Sequence, residues 1–400
     1  EKVPNAWATL LGGLVMALLG IINEENALEA VYERLEIIFL LVGMMIIVDI
    51  ISETGVFQWF AIKVAQLAKG EPFRLIILLS VVTALCSAFL DNVTTILLMA
   101  PVSILLANQL RLDPFPFIIS EVMSANIGGV ATLIGDPTQL IIGSEGHLGF
   151  NEFLMNTSPM AIVSMVILIL NVYFIYGKNM HVSRELKARI MELDSSRSLK
   201  DVKLLKKAAI IFSLVLAGFI LNNFINKGLA VIALFGSIVL IFVSKKKPEE
   251  IFAKIEWETL FFFGGLFVLV EGVENLGIIK VLGERIIAVT DGNLKLTSSL
   301  ILVISTILSP IIGSIPHTLS FGKIIVEILP GYTGQTDVLW WALSLGACLG
   351  GNMTIVGAAA NIVGSSVAKK VGIEISFKEF FKWGIIVVLQ STILSLIYIN

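Results

Sequence analysis

The sequence predicts an all-α polytopic membrane protein, an inverted-topology repeat with two re-entrant hairpins and two discontinuous helices. Three observations predict it. Of 400 residues, 56% are hydrophobic and only 15% charged, with a mean hydropathy of +0.92, whereas soluble domains carry about 25% charged residues. Apolar stretches of roughly 17 residues or more, each able to span a hydrocarbon core of about 30 Å, recur along the whole length. Several of them are interrupted by polar or glycine-rich clusters, and the interruptions recur at one fixed offset.

The sharpest interruption lies in residues 87–102, SAFLDNVTTILLMAPV, where Asp91-Asn92 and Thr94-Thr95 break a long apolar run. A carboxylate at bilayer depth costs roughly 2.5–3.5 kcal/mol on insertion scales, so such a cluster faces a water-filled cavity or a ligand. It reads as the tip of a re-entrant hairpin.

Along the chain, residues 6–22 form a span, followed by an acidic loop with Glu24, Glu25, Glu29 and Glu33, and residues 36–52 form a second span. Residues 55–72 predict an interfacial amphipathic helix, with Trp59 and Phe60 opposite Lys63 and Lys69. The first hairpin occupies 73–110. Residues 116–144 predict a discontinuous helix, unwound at Asn126-Ile127-Gly128-Gly129 and at Gly135-Asp136-Pro137-Thr138, since Gly and Pro at that density oppose helix. A span at 158–177 leads to a basic linker, 178–207, that begins at Lys178. The second half repeats the pattern: spans at 208–224, 228–244 and 258–274, an amphipathic piece at 278–292, a hairpin at 296–335 with its tip at Gly313-Ser314, a broken helix at 338–368, and a last span at 382–399.

Sliding the chain by 222 positions superposes these features. Glu36 falls on Glu258, Gly43 on Gly265, Gly55 on Gly277, Ser87 on Ser309, Gly128-Gly129 on Gly350-Gly351, Thr132 on Thr354 and Gly135 on Gly357. The predicted division is a first repeat at 1–177, the linker at 178–207 and a second repeat at 208–400. The counterpart of 208–224 falls before residue 1, so a spanning helix is expected upstream of Glu1. Placing the basic 178–207 segment in the cytoplasm makes 36–52 run inward and 258–274 outward. The repeats are then inverted, an arrangement common in secondary transporters.

Broken helices present free N–H groups at half-helix starts and carbonyls at half-helix ends, which attract anions and cations respectively. The candidate ligands around the interruptions are Asp91, Asn92, Thr94, Thr95, Asn126, Thr132, Asp136 and Thr138 from the first half, with Ser314, His317, Thr318, Asn352, Thr354 and Asn361 from the second. These hard oxygen donors suit Na⁺ or a hydrogen-bonded small anion, and Asp91, Asn92 and Asp136 are the candidate Na⁺ ligands. Neither tip carries Arg or Lys, which a multiply charged anion favours. Asp91 and Asp136 also read as helix caps. Cys86 and Cys348 read as inert apolar positions.

Leu90-Asp91-Asn92-Val93-Thr94-Thr95 with Pro101, Asn126-Ile127-Gly128-Gly129 through Asp136-Pro137, and Leu349-Gly350-Gly351-Asn352 with Ala360-Asn361 resemble signatures of the ion transporter superfamily. The resemblance is to its branch of arsenite permeases, NhaD-type sodium/proton antiporters and P proteins, related to the divalent anion/sodium symporters. It implies scaffold and transport parts, a homodimer and elevator-type movement. Two positions depart from the family pattern: Gly313-Ser314 stands for Asp-Asn, and Asp136-Pro137-Thr138-Gln139 for Asp-Pro-Pro-Asn.

The function expected is a secondary active ion transporter coupled to Na⁺ or H⁺, in the cell (inner) membrane, with no other cofactor and no nucleic-acid partner. The alternatives are an arsenite/antimonite or carboxylate permease of the same fold, and a channel. No Walker, HExxH or dinucleotide motif suggests an enzyme.

Overall fold

The structure is a computed structural model that describes residues 5–177, 180, 182–225 and 227–400. Residues 1–4 and Lys178 lie outside the described residues. In chain order, α1 (Asn5–Leu18), α2 (Glu24–Tyr32), α3 (Leu35–Glu53) and α4 (Val56–Leu67) lead to a hairpin of α5 (Pro72–Phe89) and α6 (Asn92–Gln109). A broken helix follows, α7 (Phe115–Val130) and α8 (Pro137–Gly146), then α9 (Phe150–Asn156), α10 (Ser158–Tyr176) and α11 (Arg184–Met191). Next come α12 (Val202–Ile220), α13 (Asn222–Ile225), α14 (Leu229–Ser244), α15 (Pro248–Phe252), α16 (Trp257–Asn275) and α17 (Ile278–Thr290). The second hairpin is α18 (Leu294–Ile312) and α19 (Ser314–Ile328), the second broken helix α20 (Val338–Gly350) and α21 (Ala359–Lys370), and α22 (Phe377–Ile399) ends the chain. Among the described residues, α3, α5, α6, α10, α18 and α22 are each long and apolar enough to cross a membrane. The pair α16–α17 passes the same test together, bent by 67° at Gly277, whose φ of +71° suits glycine.

The repeat appears as matched helix starts. Helices α3, α4, α5, α6 and α8 each begin 222 residues before α16, α17, α18, α19 and α21. Equivalent side chains make equivalent hydrogen bonds. Ser87 Oγ donates to the Ala125 carbonyl at 2.6 Å, and Ser309 Oγ to Ala347 at 2.6 Å. Thr132 donates to the Ala88 carbonyl as Thr354 does to Pro310. Inversion is also visible. Lys254, just before α16, pairs with Asp49 near the end of α3 at 3.3 Å, while Arg34, at the start of α3, lies over the Phe267 ring further along α16. Helices α3 and α16 are therefore antiparallel.

The halves exchange partners. Helix α1 packs on α16, where a Cβ at Gly265 would come 2.7 Å from Leu10 N, and α14 packs on α3, where a Cβ at Gly43 would come 2.8 Å from Ala233 C. Likewise α6 packs on α21 and α19 on α8.

Four expectations are corrected. The acidic loop is helix α2, capped by Asn23 on the Asn26 N–H. On α4, Phe60 and Lys63 share the exposed face while Phe57, Ala61, Val64 and Ala65 are buried, because positions three apart are neighbours on a helix. The 178–207 segment holds α11 and the start of α12, which Asp201 caps through the Leu204 N–H at 2.9 Å. Asn126–Gly129 does not unwind: it lies inside α7, and the break is at 131–136. Gly128 is there for proximity, since a Cβ would stand 2.1 Å from the Ala84 carbonyl oxygen of α5.

Candidate functional site

Both hairpin tips and both helix breaks open onto one cavity of about 820 Å³. Helices α6, α8, α19 and α21 all begin there, through Asn92, Pro137, Ser314 and Ala359. The β-region backbone of Asp91 (ψ 152°), Asp136 (ψ 137°) and Ala358 (ψ 150°) turns three of these helices toward the cavity, and Gly313 at φ +93° turns the fourth. Each helix start carries roughly half a positive charge and unsatisfied N–H groups.

The two halves treat those starts differently. Asp91 Oδ1 accepts from the Thr94 N–H at 2.8 Å and caps α6, and Asp136 Oδ1 accepts from Thr138 at 2.8 Å and caps α8. The counterparts at the 222 offset are Gly313 and Ala358, and no side chain caps α19 or α21. One wall of the cavity is thus carboxylate and the other has no side-chain cap; there the Ser314 N–H of α19 donates to the Gly357 carbonyl at 3.2 Å and Pro316 has none to offer, so the free N–H groups are mainly those of α21.

Behind the walls, an amide network ties the halves together. Asn92 Nδ2 donates to Asp136 Oδ2 at 2.6 Å and to Asn126 Oδ1 at 3.2 Å. Asn126 Nδ2 donates to Asn352 Oδ1 at 2.9 Å and Asn361 Oδ1 at 2.7 Å. Asn361 Nδ2 in turn donates to the Gly351 and Thr354 carbonyls at 2.8 and 2.7 Å, holding the unwound segment of the second half.

Of the predicted residues, Asp91, Asn92, Asp136 and Ser314 line the cavity. Asn126, Asn352 and Asn361 stand behind it in the network. Thr94 contributes a backbone N–H to the Asp91 cap, and Thr132 and Thr354 staple each break to its hairpin through a carbonyl. The hydroxyls of Thr95, Thr138 and Thr318 are buried without a partner and are not brought to the cavity lining. His317 is fully buried, its ring centroid 4.3 Å from that of Phe321 and both nitrogens unpartnered, away from the cavity lining.

Sequence reasoning missed the start of α16. Glu256, Glu258 and Thr259 line the cavity opposite the first tip, and Thr259 Oγ1 donates to Glu256 Oε2 at 3.2 Å. Burial, then the nearby Asp91 carboxylate, push the Glu256 carboxyl up to about 6. The cavity lining holds four carboxylates and no Lys, Arg or His among the described residues. It also missed Glu121, 1% exposed on α7 and hydrogen-bonded to Ser103 Oγ on α6. The available signal was that Glu121 is the sole ionisable residue between Asp113 and Asp136.

A family profile described as citrate transporter (CitMHS) matches residues 1–346. The chain is 39% identical over 403 residues to a 46 kDa membrane protein of Mycobacterium leprae, covering 100% of this chain and 94% of that one. It is 38% identical, with the same coverage, to an uncharacterized transporter of Mycobacterium tuberculosis. It is 33% identical over 481 residues to the P protein of Sus scrofa, all of this chain aligning with 57% of that protein's length. Among solved structures, the YdaH transporter of Alcanivorax borkumensis superposes with a TM-score of 0.64 at 13% identity, over 99% of this chain and 98% of that one, a likeness of fold.

Proposed function

The chain belongs to the citrate transporter family within the ion transporter superfamily and is a multi-pass membrane transporter, and from that premise we propose a secondary active carrier that moves a small carboxylate together with a coupling cation, Na⁺ or H⁺. The observation that carries this reading is the divided cavity. The Asp91 and Asp136 carboxylates, with the Asn92 amide, offer a cation site on one wall. The uncapped start of α21 at Ala359, with the Ser314 hydroxyl at the start of α19, offers hydrogen-bond donors to an anion on the other. A cation bound between them offsets the carboxylate charge that would otherwise repel an anion.

Transport by this reading is elevator-type. Helices α5–α8 and α18–α21 carry the cavity past α3 and α16 in a homodimer embedded in lipid. With the 178–207 segment cytoplasmic, the start of α16 is cytoplasmic too, and the cavity faces inward. A second reading, cation/proton exchange without an anion, is favoured by the four lining carboxylates and the lack of a basic lining residue.

The test is flux in proteoliposomes holding the full-length protein. Citrate, succinate or arsenite uptake driven by a Na⁺ or proton gradient is expected, with the carboxylates preferred. Sodium-driven pH change with none of these anions present selects exchange. Gradient-independent single-channel currents would overturn both readings.

A further inference from the structure

Arg34, only 4% exposed, reaches from the start of α3 to Glu145 at the end of α8, with Nε and Nη2 at 2.8 and 2.7 Å from Oε1. A second pair, Lys323 on α19 with Glu274 at the end of α16, crosses the same seam at 2.9 Å. Both join α3 or α16 to the body that carries the hairpins. Both lie on the face away from the cavity mouth, since the cavity is lined by Ala6 of α1 and Glu256 before α16, at the opposite ends of those helices. At the cavity end, no ion pair among the described residues joins α3 or α16 to that body.

The repeat supplies a counterpart to the first pin, with its charges reversed. At the 222 offset Arg34 becomes Glu256 and α8 becomes α21; Glu145 itself falls on Val367, and Lys369 and Lys370 follow two and three residues later in the last turn of α21. Glu256 takes part in no ion pair among the described residues. It faces the cavity along with Ile362 and Val363, in the early turns of α21. Lys370 lies seven residues beyond Val363, about 10 Å further along the helix axis at 1.5 Å per residue.

We propose that Glu256 and the Lys369–Lys370 end of α21 form a latch in the opposite-facing state, the charge-reversed equivalent of Arg34–Glu145. Sliding the hairpin-bearing body by about 10 Å along α16 brings the lysines to Glu256. The same movement draws Glu145 from Arg34. The two latches exclude each other, so each facing state keeps one and gives up the other, and neither is heavily favoured. Pairing with a lysine also favours the ionised form of Glu256, which in the present state burial opposes. The inference rests on the alternating movement proposed above.

The test uses the full-length protein in membranes with Cys86 and Cys348 replaced by alanine. Glu256→Cys combined with Lys369→Cys or Lys370→Cys is treated with a short bifunctional thiol reagent. A crosslink is expected, and it forms several-fold faster when the present latch is broken by Glu145→Gln. Lys323→Gln, which removes the more exposed pair and leaves Arg34 partnered, is expected to act in the same direction. No crosslink in any background, or a rate indifferent to both substitutions, overturns the proposal. The readout needs no substrate, so absent flux with a normal crosslink counts against the carrier reading alone, and normal flux with no crosslink counts against the latch alone.

Discussion

Asn126 on α7 donates its amide to Asn361 on α21 at 2.7 Å, and this bond, with its neighbour to Asn352, joins the two halves behind the cavity. Asn126→Ala leaves three buried side-chain oxygens and amides in an apolar setting short of a partner. A loss of about 1–3 kcal/mol is expected, read as a lower thermal midpoint of the detergent-solubilised protein. A double-mutant cycle with Asn361→Ala should be clearly non-additive, because both residues serve one network.

Asp136→Asn keeps the shape of the side chain and removes its charge. The expected result is a folded protein whose flux no longer responds to the driving cation. Asp136→Ala also removes the α8 cap and should cost about 1 kcal/mol of stability on that account. Flux coupling that survives both Asp136→Asn and Asp91→Asn would remove the carboxylate wall from the proposed cation site.

Gly128→Ala is expected to be severe and Gly264→Ala harmless. A Cβ at Gly128 meets the Ala84 carbonyl oxygen at 2.1 Å, so α5 and α7 must separate, whereas a Cβ at Gly264 meets nothing within 4 Å. Alanine is favoured over glycine by about 1 kcal/mol within a helix, so the Gly264 variant should match or exceed the parent in thermal midpoint. Expression and monodispersity in detergent distinguish the two variants directly.

Glu256 predicts a pH dependence. Its carboxyl is raised to about 6 by burial and by Asp91, so it is neutral below that pH and charged above it. Cation binding to the cavity should strengthen as pH rises through about 6. For folding the sign is opposite: a raised carboxyl favours the folded state at low pH and loses that contribution as pH climbs from its ordinary value of 4.5 through about 6. Glu256→Gln should flatten the inflection in Na⁺ affinity, measured by isothermal titration across pH 5 to 8. An unchanged inflection would assign it elsewhere.

Much of this architecture was legible because a bilayer punishes exceptions. Asp91-Asn92 within an apolar run, and its recurrence as Gly313-Ser314 at the 222 offset, located both hairpin tips to within a residue of where α6 and α19 begin. What misled was local propensity. Gly128-Gly129 looked like a helix break because glycine disfavours helix, yet in α7 Gly128 lets α5 approach and Gly129 lets the unwound segment at Gly135 approach. Glu256 went unremarked because nothing near it in the chain reveals that it lies close to Asp91, 165 residues away in sequence.

By itself the sequence determined the membrane class, the order of the long apolar helices, the repeat and its two hairpin tips. Each of these follows from hydropathy and spacing along one chain. Only the tertiary structure decided that α1 packs on α16 and α14 on α3, that acids cap two helix starts at the cavity while two have no side-chain cap, and that Arg34 pairs with Glu145. Those relations join residues far apart in the chain, and long-range packing chooses among many pairings of equally apolar helices that no local pattern distinguishes.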